Sequence, residues 1–292
     1  NPHFWKRACR ETFGFTENNM ILLEKTLNSK STFKEVFFEK YFNVILSKNQ
    51  VTLDSLVKVF EIVGGIVKNF NIDEISSTIG KSVFQMLEFL ANLEHLSIHY
   101  ISTNNEFKIQ NEFEQGLDIE KATLILEFGR FKNLVSLNIE NNNICSKIFS
   151  KILKSLYDST NFKELRASSN KLGDKGLKKL IKFVRHYSKI DFSLVDLSEN
   201  SIGIDGTNLA RELVSIPNLK IHELRLSSNF INSSQFSEIL VAIAQNKSSK
   251  LRILNLGINL ISDDVSSTLK NFINDNSTLE QLYLDGNNIK IE

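Results

Sequence analysis

LRILNLGINLI, residues 251–261, is the stretch that decides how this chain folds. Leu251, Leu254 and Leu256 are apolar at steps of three and two, Asn259 stands three further on, and Ile261 follows two after it. The same frame recurs as LVSLNIENNNI (134–144) and LEQLYLDGNNI (279–289). Its closing asparagines are Asn142, Asn170, Asn200, Asn229, Asn259 and Asn287, spaced 28, 30, 29, 30 and 28 residues apart. Leu254 and Leu256 alternate with Ile253 and Asn255, the period of a strand. Asn259 ends that strand. Its amide can donate to and accept from the backbone of neighbouring coils, so successive asparagines form a structural ladder. Without such partners a buried turn would leave peptide groups unpaired. The period then turns helical: Val265, Leu269, Phe272 and Ile273 share a face behind the caps Ser262 and Asp263. Leu177, Leu180, Ile181 and Val184 follow Gly173-Asp174 in the same way, and Leu209, Leu213 and Ile216 follow Gly203-Ile204-Asp205.

A repeat of this length and signature resembles the leucine-rich repeat. A strand plus a full helix in each 28–30 residues resembles the ribonuclease-inhibitor-like subclass, found also in nucleotide-binding immune receptors and actin-regulatory proteins. The resemblance implies an α/β solenoid: a horseshoe with a parallel sheet on its concave face and helices on its convex face. It also implies a binding surface rather than a reaction vessel.

The repeats are expected over 92–292, about seven in all. The first is irregular: LEHLSI (93–98) fits the strand, but Ile101 occupies the asparagine position, and Leu93 lies 41 residues before Leu134. The excess falls in STNNEFKIQNEFEQG (102–116), read either as a partner contact or as a solvated loop, followed by a helix-like LDIEKATLILEFGRF (117–131). Residues 1–91 lack the repeat and read as an N-terminal helical domain or cap, with helices near 3–13, 17–28, 32–48, 52–69 and 73–91. Phe33, Val36, Phe37, Tyr41 and Val44 form an apolar stripe there. The chain begins at Asn1 and stops at Glu292 just after a strand, so the last repeat is uncapped and the parent protein is expected to continue.

Composition narrows the function classes. Hydrophobic residues at 41% and charged residues at 24% are ordinary for a folded chain. A net charge of +1 gives no general attraction to nucleic acid or anionic membrane. No apolar run approaches the roughly 18 residues of a spanning helix. Cys9 and Cys145 lie far apart in sequence, so a disulfide framework is not expected and a reducing cytosol is. Cys145 reads as a small core residue.

Binding is expected on the concave face, from strand side chains pointing away from the core. The middle column contains Asn138, Arg166, Asp196, Arg225, Asn255 and Tyr283. Beside it stand His95, Glu164, Leu194, Glu223 and Ile253 on one flank, and His99, Glu140 and Asp285 on the other. Strands lie about 4.8 Å apart, so Arg166, Asp196 and Arg225 can pair laterally. Leu194, Ile253, Ile258 and Tyr283 are expected as exposed apolar anchors.

Chemistry is sparsely signalled. His95 and His99 fall on one strand, about 13 Å apart, too far for one zinc. His3, His186 and His222 have no ligand set at suitable spacing, so no metal or cofactor is expected. Gly64-Gly65 lacks the Lys-Ser/Thr of a phosphate loop, and no nucleophile elbow is present. KGLKKLIKFVRHYSK (175–189) could touch phosphates or serve as a solvated helix face. NPHFWKRACRETFGF (1–15), through Trp5, Lys6, Cys9, Phe13 and Gly14, resembles the segment that follows an F-box. The plainer reading is an amphipathic helix anchored by Phe4 and Trp5.

The expectation is a monomeric, non-enzymatic protein–protein interaction module with no nucleic-acid or membrane partner. It would act in the cytoplasm, or in a host cytosol if it is a secreted bacterial effector. An Asn-, Lys-, Ile- and Phe-rich, Pro-poor composition fits an AT-rich genome, which protists and intracellular bacteria share. The alternatives are the substrate-recognition part of an F-box-type ubiquitin-ligase adaptor, or the targeting region of an enzyme whose catalytic domain lies outside this stretch.

Overall fold

The computed structural model describes residues 2–13, 16–17, 34, 36–38, 40–41, 65–73, 90–99, 132–187, 190–276 and 278–289. The chain divides into two compact units, 1–104 and 105–292.

In the first unit, helix α1 (Pro2–Phe13) places Trp5 against Phe37 and Phe38, with ring centroids 5.5 and 5.4 Å apart. Cys9 is fully buried, and burial pushes its thiol pKa up to about 11. Phe4 is exposed, so Trp5 alone of the expected pair anchors the helix.

Strand β1 (Asn69–Asp73) corrects the helical reading of this region. It pairs in parallel with β2 (His95–His99), matching Asn69 with His95, Asn71 with Ser97 and Asp73 with His99. Val67, Phe70, Leu93, Leu96 and Ile98 are buried at the same steps of three and two as in the later repeats. A repeat-type strand therefore precedes Leu93. Its asparagine position holds Ile75 and its neighbours are polar, which concealed it. Of the helix proposed at 32–48, residues 34, 36–38, 40 and 41 are described and are helical; the rest of that segment with Phe33 and Val44, nearly all of 17–28, residues 52–64 and 74–89, and the segments 102–116 and 117–131 lie outside the described residues.

In the second unit, β3 (Ser136–Asn138), β4 (Glu164–Arg166), β5 (Phe192–Asp196), β6 (Ile221–Arg225), β7 (Ile253–Asn255) and β8 (Gln281–Tyr283) pair in parallel in chain order. Helices return between them: α2 (Ser146–Ser155), α3 (Gly173–His186), α4 (Leu209–Val214), α5 (Ser233–Gln245) and α6 (Ser266–Asp275). This is the leucine-rich-repeat solenoid, a parallel sheet on one side of each coil and a helix on the other. Leu137, Leu165, Val195, Leu224 and Leu254 form one buried row beneath the sheet, and each helix supplies the opposing wall. From α3 these are Leu177, Leu180 and Ile181; from α5, Phe236, Ile239, Leu240 and Ile243.

Side-chain caps start α4 and α5. Asn208 accepts from the Arg211 N–H, and Asn232 and Gln235 form a reciprocal capping box at 3.0 Å in each direction. The last helix starts late. A 3-10 turn (Asp263–Val265) delays it to Ser266, and three residues per turn re-phase the apolar stripe. Val265 and Phe272 are buried as expected, but Ile273 is turned to solvent.

The asparagines bind the coils together. Asn200, fully buried, donates to the carbonyls of Ala167 and Ser198, each at 2.9 Å, and accepts from the Leu172 N–H at 3.2 Å. Asn170 accepts from the N–H groups of Asn142 and Ile144 and donates to the Ile139 carbonyl. Asn229, Asn259 and Asn287 make equivalent bonds to the coil before each of them. The residue before each ladder asparagine is left-handed: Asn141, Ser169, Glu199, Ser228, Ile258 and Gly286 have φ between 51 and 68°.

Candidate functional site

The strand face of the second unit is built by the register. Asn138, Arg166, Asp196, Arg225, Asn255 and Tyr283 stand directly beside one another across six strands, and Ser136, Glu164, Leu194, Glu223, Ile253 and Gln281 form the row next to them. Beyond the strand ends, backbone bonds such as Asn141 N–H to Ser168 carbonyl (3.1 Å) and Ile258 N–H to Asp285 carbonyl (2.7 Å) continue the alignment. Glu140 and Asp285 belong to that third row. His95 and His99 sit on β2 of the first unit, where the His99 ring contacts the Ser97 hydroxyl at 2.6 Å.

The charges pair mainly along strands, not across them. Arg166 meets Glu164 at 3.4 Å, and Arg225 meets Glu223 at 2.6 Å, each two residues earlier on its own strand. Of the expected lateral pairs, Arg225 approaches Asp196 at 3.8 Å, whereas Arg166 turns to Glu164. Asp196 is itself buried, and its carboxylate accepts from the Ser198 N–H at 3.0 Å. Asn138 and Asn255 use their side chains likewise, accepting from the N–H two residues on.

The expected apolar anchors divide. Leu194 is 5% exposed, so it is not a free anchor: it lies in register between Glu164 and Glu223, whose stems flank it at strand spacing. Ile253 is half-buried, while Tyr283 is 45% exposed, its hydroxyl donating to Gln281 at 2.8 Å. Ile258 is exposed, but it stands in the turn beside Asn259 rather than on the strand face. Cys145 is half-buried at the start of α2, where a backbone bridge to Lys171 holds it at the turn, so it is not a core residue.

Two further clusters lie at the strand ends. Before the strands, Asp191 accepts from His222 at 2.9 Å and from Lys250 at 2.5 Å, a set spread over three coils. Burial raises the Asp191 pKa, but those two hydrogen bonds and charges outweigh it and hold the carboxyl below its usual range. After the strands, Asp174 is buried and accepts from the N–H groups of Gly203 (2.7 Å) and Asp205 (3.1 Å). Burial raises its pKa, against the pull of those two bonds. The sequence reading missed both clusters because each carboxylate is 29 to 59 residues from its hydrogen-bond partners. Among the described residues no group of three or more His, Cys, Asp or Glu side chains could hold a metal ion. No helix among them is long and apolar enough to cross a membrane.

No protein-family model and no curated protein matches the chain. Solved structures do. The C-terminal domain of tropomodulin from Caenorhabditis elegans is similar at 14% identity over 50% of this chain and 85% of its own, with a TM-score of 0.37. TLR13 in its complex with ssRNA13 is similar at 18% identity over 82% of this chain and 32% of its own, with a TM-score of 0.47. A protein from Bacteroides fragilis is similar at 13% identity over 82% of this chain and 74% of its own, with a TM-score of 0.45. The strand order, the register and the asparagine ladder define the architecture directly: this chain has a leucine-rich-repeat fold.

Proposed function

We propose that the second unit is a non-enzymatic module of the ribonuclease-inhibitor-like type, gripping a protein partner with the strand face of its sheet. The observation that supports this most is the outward row ending in Tyr283, a large amphipathic ring left half-exposed on a surface whose other side chains are held in place by their own strands. A rigid backbone presenting pre-positioned Arg and Glu pairs loses little entropy on binding. Exposed Tyr and Arg are the residues that most often carry interface energy. An AT-rich-genome composition, which protists and intracellular bacteria share, is compatible with a setting in which the chain is a secreted bacterial effector and the partner a host protein.

The test is affinity capture from candidate cytosols with the whole chain and with an Arg166→Ala/Arg225→Ala/Tyr283→Ala variant. Asp196 is left unchanged because it is buried. A partner retained by the parent should be lost by the variant, with circular dichroism and melting temperature preserved. An unchanged captured set would remove the sheet face from consideration.

A further inference from the structure

The turns that leave the strands carry a surface that the sheet-face reading does not use. In the last four turns (197–210, 226–237, 256–268 and 284–289) the charged residues are Glu199, Asp205, Asp263, Asp264 and Asp285, all exposed, and these segments contain no Lys, Arg or His. Several of these carboxylates take neutral local donors: the Ser169 hydroxyl on Glu199 (2.7 Å), the Thr207 N–H on Asp205 (3.0 Å) and the Ser262 hydroxyl on Asp264 (2.8 Å). Lys178 of α3 also acts on Asp205. The opposite edge of the same coils is basic, carrying Lys220, His222, Lys247, Lys250 and Arg252. There His222 and Lys250 meet Asp191, and Arg252 meets Glu280 at 3.5 Å.

Large apolar side chains stand among the carboxylates. Ile204 is 64% exposed, Phe230 44%, Ile258 57% and Leu260 57%. Backbone bonds tie together the turns that carry them. The Phe230 N–H donates to the Ile202 carbonyl (2.8 Å), the Leu260 N–H to Ile231 (2.9 Å) and the Ile258 N–H to Asp285 (2.7 Å). Ile258 is also strained. At its position the other five coils hold Asn141, Ser169, Glu199, Ser228 and Gly286, whereas a β-branched side chain at φ 51° is the worst choice for the left-handed region. Nothing in the core compensates for this, because the side chain is outside.

We propose that this turn edge docks a cationic amphipathic peptide segment of a protein partner. Its aliphatic or aromatic side chains cover Ile204, Phe230, Ile258 and Leu260, while its Lys or Arg residues lie along the acidic edge formed by Glu199, Asp205, Asp264 and Asp285. Charge complementarity selects this occupant: an acidic segment would set like charge against this edge, a neutral one would gain nothing from its field, and a bare polycation would leave the apolar row uncovered. The inference goes beyond the sheet-face reading and stands without it, since of its side chains only Asp285 also belongs to the third row of the sheet face.

The test uses the whole chain and a fluorescent amphipathic peptide of Leu and Lys, with a Leu/Glu peptide of the same pattern and poly-lysine as comparators. The Leu/Lys peptide should bind, weaken with added salt, and lose at least tenfold in affinity with Ile258→Asn/Leu260→Ser and with Asp263→Asn/Asp264→Asn. Arg166→Ala/Arg225→Ala should leave that affinity unchanged, which separates this surface from the sheet face. Ile258→Asn should meanwhile raise the melting temperature, by about 2–4 °C, so lost binding cannot be ascribed to unfolding. Equal binding of poly-lysine, or unchanged affinity in the Ile258 variant, would overturn the proposal. So would self-association that disappears in that variant while no peptide binds.

Discussion

Two columns of residues run through the same coils of the second unit, four positions apart. The outward column changes at nearly every step, through Asn138, Arg166, Asp196, Arg225, Asn255 and Tyr283. The ladder column is asparagine six times. Both are polar and both recur at the repeat period, so periodicity alone does not distinguish them. Burial does. Ladder amides at Asn142, Asn170, Asn200, Asn229 and Asn259 face backbone donors and acceptors that no water reaches, and only a side chain with both functions satisfies them. Apart from Asp196, which is buried and takes the Ser198 N–H, the outward residues have solvent as a ready substitute. Uniformity in a repeat therefore marks what holds the coils together, and variation marks where a partner can be selected.

This contrast can be broken by mutation. The largest effect should come from Asn200→Ala, which orphans the Leu172 N–H and the carbonyls of Ala167 and Ser198 at a fully buried site. A loss of about 2–4 kcal/mol in urea unfolding is expected from unsatisfied buried groups of this kind. Asn287→Ala, at a half-buried position, should lose about half of that. If Asn200→Ala proves no worse than a change on the strand face, the ladder is not what unites the coils.

A smaller effect is expected on the face itself. Glu223→Gln should change stability by less than about 1 kcal/mol, because the Arg225–Glu223 pair remains open to solvent. A double-mutant cycle on these two residues would sharpen the point: a coupling energy as large as the ladder's would make this pair structural.

The smallest effect should be a pH dependence at Asp191. Its folded pKa is depressed, so its ion pairs stabilise the fold above the unfolded carboxyl pKa, about 3.9, and that contribution is lost as pH falls through the lower, folded value. The melting-temperature gap between the parent and Asp191→Asn should be slight at pH 7, since the carboxylate is 43% exposed, and should close towards pH 3. A gap that widens in acid would contradict the assigned pairing.

Much of this was legible beforehand because a strict repeat carries its own register. Once Asn259 closed a strand at Leu251–Leu256, every cross-strand neighbour from Ser136 to Tyr283 followed by counting. What failed did so where the frame lost its marker or where side chains chose between partners. Asn69–Asp73 was passed over as the junction between helices at 52–69 and 73–91 because no asparagine closes it. Leu194 was read as an anchor because alternation specifies the face, whereas its cover depends on neighbours 29 and 30 residues away. Arg166 was expected to reach across to Asp196, yet Glu164 on its own strand was nearer.

The sequence by itself determined the coil, the order and register of the later strands, and the side of the sheet on which each residue falls, because each depends on a local period of two or of 3.6. Only the tertiary structure decided which outward residues are open, that Asp191 gathers His222 and Lys250, and that one edge of the coils is acidic and apolar while the other is basic. Those properties arise between coils some thirty residues apart in the chain, where the stacking of neighbours, and no local period, sets distance and solvent access.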